Sequence, residues 1–120
     1  MKDVPKISAT ITTAGTTYSD ITDLSVGEDD INSIETTLSV SALTGADTTL
    51  KITPQYSYDK VTWFDQPSDG QFSEVNASTT LPSAESLQLS FAAIYLRYKY
   101  VVAGATPSVT FDLYAVGKSL

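Results

Sequence analysis

The chain has 120 residues, no cysteine and no histidine, and its 14 acidic against 7 basic side chains give a formal net charge of -7. Without thiols or imidazoles it has no disulfides, no Cys or His metal sites, and no Ser-His-Asp or Cys-His catalysis. A chain this acidic carries no basic stripe to displace counterions from a phosphate backbone, so nucleic acid is not an expected partner.

At this length a single domain, residues 1–120, buries a sufficient core without disulfides or metal. No apolar run approaches the roughly 20 residues that span a bilayer, so no membrane partner is expected. The opening Met1-Lys2-Asp3-Val4-Pro5 lacks the apolar core of a signal peptide, so synthesis in the cytoplasm is expected.

In chain order, residues 1–6 read as an N-terminal arm with Lys2 and Lys6 flanking Val4-Pro5. Residues 6–13 alternate Ile7, Ala9 and Ile11 and end at Ala14-Gly15, which predicts a strand. A weaker strand over 18–26 closes at Gly27-Glu28-Asp29-Asp30. Residues 34–43 set Leu38, Val40 and Ala42 against Thr37, Ser39 and Ser41, then turn at 44–47. Residues 49–58 place Leu50, Ile52, Tyr56 and Tyr58 on one face, and Pro54 marks an edge or a bulge. Asp59-Lys60 turns tightly into a strand over 61–64, Pro67-Ser68-Asp69-Gly70 is a turn, and 71–75 is a short strand. Residues 76–85 read as a connecting loop. Leu87, Leu89 and Phe91 open another strand that bends at Ala92-Ala93.

The two clearest strands come last. Ile94, Leu96, Tyr98, Tyr100 and Val102 share one face while Arg97 and Lys99 share the other. After residues 103–107, Val109, Phe111, Leu113 and Ala115 repeat the alternation. They read as an antiparallel pair with Leu96, Phe111 and Leu113 buried together. Turn signals every ten or so residues and the absence of a helical period predict an all-β chain: a single antiparallel β-sandwich or jelly-roll-like domain of eight or nine strands.

Three groups of residues bear on chemistry. Asp20, Asp23, Glu28, Asp29, Asp30 and Glu35 are the densest carboxylates, yet their spacing matches no calcium loop, so a solvated acidic loop and no metal are expected. Asp59, Asp65, Asp69 and Glu74 lie near Trp63, but no spacing separates them from turn chemistry, so no catalytic residues are assigned and no enzyme is expected. Tyr56, Tyr58, Trp63, Phe64 and Phe72 could form a flat sugar platform; the alternative is cross-strand aromatic packing. Nothing in the residues calls for a cofactor.

The segments Leu38-Ser39-Val40-Ser41-Ala42-Leu43-Thr44-Gly45, Gln55-Tyr56-Ser57-Tyr58-Asp59-Lys60-Val61-Thr62-Trp63, Tyr95-Leu96-Arg97 and Pro107-Ser108-Val109-Thr110-Phe111, in that order, resemble small β-sandwich virion structural proteins of tailed bacteriophages. The resemblance covers residues 34–118, and this chain has Lys60 where those proteins typically carry glycine. It implies a non-enzymatic part of the virion, a capsid decoration or cement protein bound as a homo-oligomer to the major capsid protein lattice or to other virion proteins. The alternative is a carbohydrate- or receptor-binding module of a tail or baseplate. The stretch from Ser57 to Trp63 also resembles the Asp-box turn of sialidase propellers, which implies a hairpin here.

Overall fold

A computed structural model describes residues 2–24, 33–90 and 95–118. Within them the chain forms β1 (Lys2–Ile11), β2 (Gly15–Tyr18), β3 (Thr22–Asp23), β4 (Ser33–Thr44), β5 (Thr49–Ser57), β6 (Phe64–Asp65), β7 (Val75–Asn76), β8 (Ser83–Ser90), β9 (Tyr95–Ala103) and β10 (Ser108–Lys118), with one 3₁₀ turn at Ser68–Gly70. Every ladder is antiparallel. A four-stranded sheet runs β1-β10-β4-β8, and a six-stranded sheet is built on β2-β9-β5-β6, with β3 also on β9 and β7 also on β5.

Taken as interrupted single strands, β2 with β3 and β6 with β7 reduce the set to eight. The first half of the chain then lies against the second half in reverse: β1 on β10, β2/β3 on β9, β4 on β8 and β5 on β6/β7. Rolling that long ladder up adds the β10–β4 and β9–β5 pairings. This is the jelly roll, an eight-strand sandwich of two sheets.

The alternation read from the sequence does set the core. Leu96, Tyr98, Tyr100 and Val102 of β9, Leu50 and Ile52 of β5, Ile34, Leu38 and Val40 of β4, and Val109, Phe111, Leu113 and Ala115 of β10 are buried together between the sheets. Across the gap the Tyr100 and Phe111 rings lie 5.2 Å apart. Thr36 is the polar tie across this interior. Its Oγ1 donates to the Tyr114 carbonyl at 3.0 Å, which leaves a lone pair to accept the Tyr98 hydroxyl at 2.7 Å. Burial pushes the Tyr98 hydroxyl up to about 12, against the Thr36 hydrogen bond, which pulls it down.

Several expectations change in the folded chain. β9 and β10 do not pair with each other; they lie in opposite sheets, because alternation specifies which face is buried but not which strand lies alongside. The link between them crosses from one sheet to the other. Residues 2–4, expected within an arm, instead pair with Val116–Gly117 and Ala115 as the start of β1. Residues 18–26 hold β2's last residue and the short β3, and 83–85, expected in a loop, open β8. Ala42 is exposed: the register shifts between Thr110 and Phe111, so Ser41 is bulged and Leu43, not Ala42, packs toward the core. The bend expected at Ala92-Ala93 lies outside the described residues. Pro54 belongs to a strand with neighbours on both sides, but its carbonyl accepts the Gln66 amide in the gap between β6 and β7, so its missing N–H interrupts no continuous ladder.

Candidate interaction surface

Because Leu96, Tyr98, Tyr100 and Val102 point inward, Arg97 and Lys99 must point out of the six-stranded sheet. Register brings their neighbours into two adjacent rows: Tyr18 lies opposite Lys99, while Arg97 lies opposite Gln55 and Gln55 opposite Asp65. The Arg97 guanidinium is sandwiched between the rings of Tyr18 at 3.9 Å and Trp63 at 4.2 Å. Arg97 Nε donates to Gln55 Oε1 at 2.8 Å, Gln55 Nε2 donates to Asp65 Oδ1 at 2.6 Å, and Lys99 Nζ pairs with both Asp65 oxygens at 3.0 and 3.1 Å. The Gln55 amide, helped by Lys99, holds the Asp65 carboxyl below its ordinary range despite partial burial.

The turn that carries Trp63 is built by two side chains. Ser57, fully buried, accepts the amides of Asp59 and Lys60 on its Oγ and donates to Asp59 Oδ1. The same Asp59 oxygen accepts the amides of Val61 at 2.9 Å and Thr62 at 2.8 Å. These backbone donors, Thr62 first, hold the Asp59 carboxyl below the usual range. The turn closes the expected hairpin, with Tyr56 of β5 paired to Phe64 of β6. Lys60 sits at φ +66°, a left-handed conformation that glycine favours, and its Nζ lies 4.9 Å over the Tyr95 ring. Trp63 Nε1 closes the turn on the Lys60 carbonyl at 3.2 Å.

Around this frame the apolar groups face water. Val61 is 80% exposed, Tyr58 57%, Tyr18 49%, Phe64 45% and Ile21 43%. Tyr56 is half-buried, stacks on Phe64 at 5.5 Å and meets Tyr58 edge-on at 6.3 Å. The five aromatics weighed as a sugar platform against cross-strand packing do not form one surface: Phe72 is fully buried, drawn into the core as its amide bonds the Ile52 carbonyl, and one face of Trp63 is covered by Arg97.

The carboxylates also separate. Asp20 and Asp23 follow β2 in the six-stranded sheet's edge while Glu35 lies on β4 of the other sheet; Glu28, Asp29 and Asp30 lie outside the described residues. Among the described residues no three acids converge as metal ligands would. Asp59 and Asp65 are occupied as above, and Asp69 lies in the 3₁₀ turn. Glu74 instead lines a half-open cleft of about 300 Å³ with Glu85, Ser73, Leu38 and Thr79. The sequence pattern gives no signal for Glu85, the last residue of the 76–85 stretch that reads as loop. Both its oxygens accept hydrogen bonds from Ser73, one from the amide at 2.7 Å and one from the hydroxyl at 3.2 Å, so it serves to fasten that segment to β8.

No protein-family model matches this chain, and neither does any curated protein. No helix among the described residues is long and apolar enough to cross a membrane.

Proposed function

We propose that this chain is a non-enzymatic virion structural protein of a tailed bacteriophage, a decoration or cement protein that stabilises the head by binding across the capsid lattice. One observation carries the reading: of the six large apolar side chains exposed among the described residues, five (Tyr18, Ile21, Tyr58, Val61 and Phe64) belong to the six-stranded sheet, its β2–β3 link and its 57–65 turn, and Tyr114 alone lies on the other sheet. Apolar groups gathered mainly on one sheet and its links favour protein contact by burial. The Asp59 turn and the Arg97 sandwich hold them in place before contact, which lowers the entropy lost on binding. The resemblance of residues 34–118 to phage virion proteins supplies the partner, the major capsid protein.

Decoration distributes weak contacts over many sites, so binding is expected on assembled, expanded shells and faint on free capsid subunits. Co-sedimentation measures it, with Val61→Asp and Tyr58→Ala reducing retention while leaving the fold intact. Trp63, the single tryptophan, reports contact through its emission. The half-exposed Trp63 and the exposed Tyr58, carried by one turn, favour the second reading, a receptor-binding module of a tail or baseplate. Attachment to host glycans that is lost in Trp63→Ala, with no retention on shells, replaces decoration by that reading.

A further inference from the structure

A β-sandwich with open sheets has edge strands, and an unpaired edge is a template for another strand unless something blunts it. Three of the four edges here are blunted. β1 contains Pro5, carries Lys2 and Lys6, and shifts register between Val4 and Ile7. The β2 edge is four residues long and separated from β3, with Ser19 between them turned onto the Tyr98 backbone. β6 and β7 are two residues each.

β8 has none of these devices. Its eight residues pair with β4 in unbroken register from Ser33↔Ser90 to Val40↔Ser83, and it contains no Pro, Gly, Lys or Arg. Among the described residues no hydrogen bond reaches the outward main-chain groups of β8. Alternate N–H and C=O groups along it are therefore aligned and, among the described residues, unpaired.

We propose that β8 is a self-association edge: two copies pair their Ser83–Ser90 strands antiparallel about a two-fold axis and join their four-stranded sheets into one continuous sheet. The occupant is a second copy because the strand complements itself. With Leu87 opposite Leu87 of the second copy, two half-buried leucines cover each other, Ser86 meets Gln88, Ala84 meets Ser90, and Glu85 meets Leu89. The two Glu85 residues are then offset by four positions, about 13 Å along the strand, which exceeds the roughly 8 Å screening length in physiological salt. Glu85 is moreover drawn toward Ser73. A chain of charge -7 thus brings no like-charge pair together along this edge. The inference rests on the edge alone and not on the virion reading: a dimer with no affinity for shells keeps the first and removes the second.

Sedimentation equilibrium of the full chain tests it, together with amide exchange at high and low concentration. The mass is expected to rise from 12.9 kDa toward twice that value, with every second amide of Ser83–Ser90 gaining protection as it does. Ser86→Lys combined with Gln88→Lys places lysine against lysine on exposed positions and is expected to abolish association with the melting temperature little changed. Ser8→Lys combined with Thr10→Lys on β1 is expected to leave it. A chain that stays monomeric at all concentrations overturns the proposal. So does a dimer that survives the β8 lysines or is lost only with those on β1. Should the β8 variant fail to fold, unchanged exchange of the parent's β8 amides on concentration overturns it equally.

Discussion

Phe111 is 1% exposed, belongs to the strand that both β1 and β4 pair with, and packs on Tyr100 from the opposite sheet. Truncating it leaves a cavity that neighbours on two sheets cannot fill, so Phe111→Ala is expected to cost about 3–5 kcal/mol in urea unfolding. Lys60 poses a backbone question. A left-handed L-residue costs about 1–2 kcal/mol, which Lys60 offsets in part through its amide bond to Ser57 and its contact with Tyr95. Lys60→Gly should therefore stay within about 1 kcal/mol of the parent, while Lys60→Val, β-branched at the same φ, should be the less stable of the two by about 1–2 kcal/mol. Urea midpoints compare them. Tyr98 and Tyr100 both have hydroxyls pushed up to about 12, chiefly by burial. An unfolded tyrosine ionises near 10, so the fold favours the neutral phenol. Stability is then intact below about pH 10 and declines as pH rises from about 10 toward about 12. Tyrosinate absorbance should show a late component that appears together with loss of the near-ultraviolet dichroism, and Tyr98→Phe should weaken this alkaline dependence.

The links between elements carry constraints that the strands do not. The β4–β5 and β9–β10 crossovers meet at one end of the sandwich, where Asp47 Oδ1 accepts the Ala105 amide. Gly45 stands at φ +100°, and a Cβ there would fall 2.3 Å from Thr48 Oγ1 and 2.9 Å from the Thr106 carbonyl oxygen. Gly15 has φ +139° with open space around it. Backbone strain of this kind costs about 1–3 kcal/mol, so both alanine variants lose stability. Gly45→Ala is expected to lose more, because main chain of the second crossover must also move; thermal melts of the two variants side by side check this. At the turn after β5 the constraint is polar: the Ser57 and Asp59 side chains satisfy four amides between them. That turn was legible because Ser, Asp and a following Trp at this spacing have a local hydrogen-bonding role that needs no distant partner.

Over the whole molecule nearly every ladder joins residues far apart in sequence: Lys2 pairs with Gly117, Tyr18 with Lys99, and Ser33 with both Lys118 and Ser90. Loop closure must be met before these pairings stabilise anything, which places folding in the millisecond-to-second range of all-β sandwiches. Stopped-flow refolding followed through Trp63 emission is expected to fall there, not in the microsecond range of helical bundles. The long strands also set the shape. β4 has 12 residues and β10 has 11, and the described molecule extends 46 × 27 × 23 Å, since each strand residue advances about 3.3 Å.

The sequence by itself determined the class of fold, most strand-bearing segments and most buried faces, because alternation is a local property written every second residue. Leu96, Phe111 and Leu113 could be placed in one core without knowing that two sheets supply them. What only the tertiary structure decided is adjacency. That β9 and β10 part company, that β1 closes on β10, and that a bulge at Ser41 reverses the facing of Ala42 depend on long-range ladders. The same holds for the surface. Arg97, Lys99 and Trp63 are visible in the chain, but their meeting with Tyr18, Gln55 and Asp65 comes from four strands brought into register. The exposed edge of β8 is likewise a property of strand order, since an edge exists only where a sheet ends.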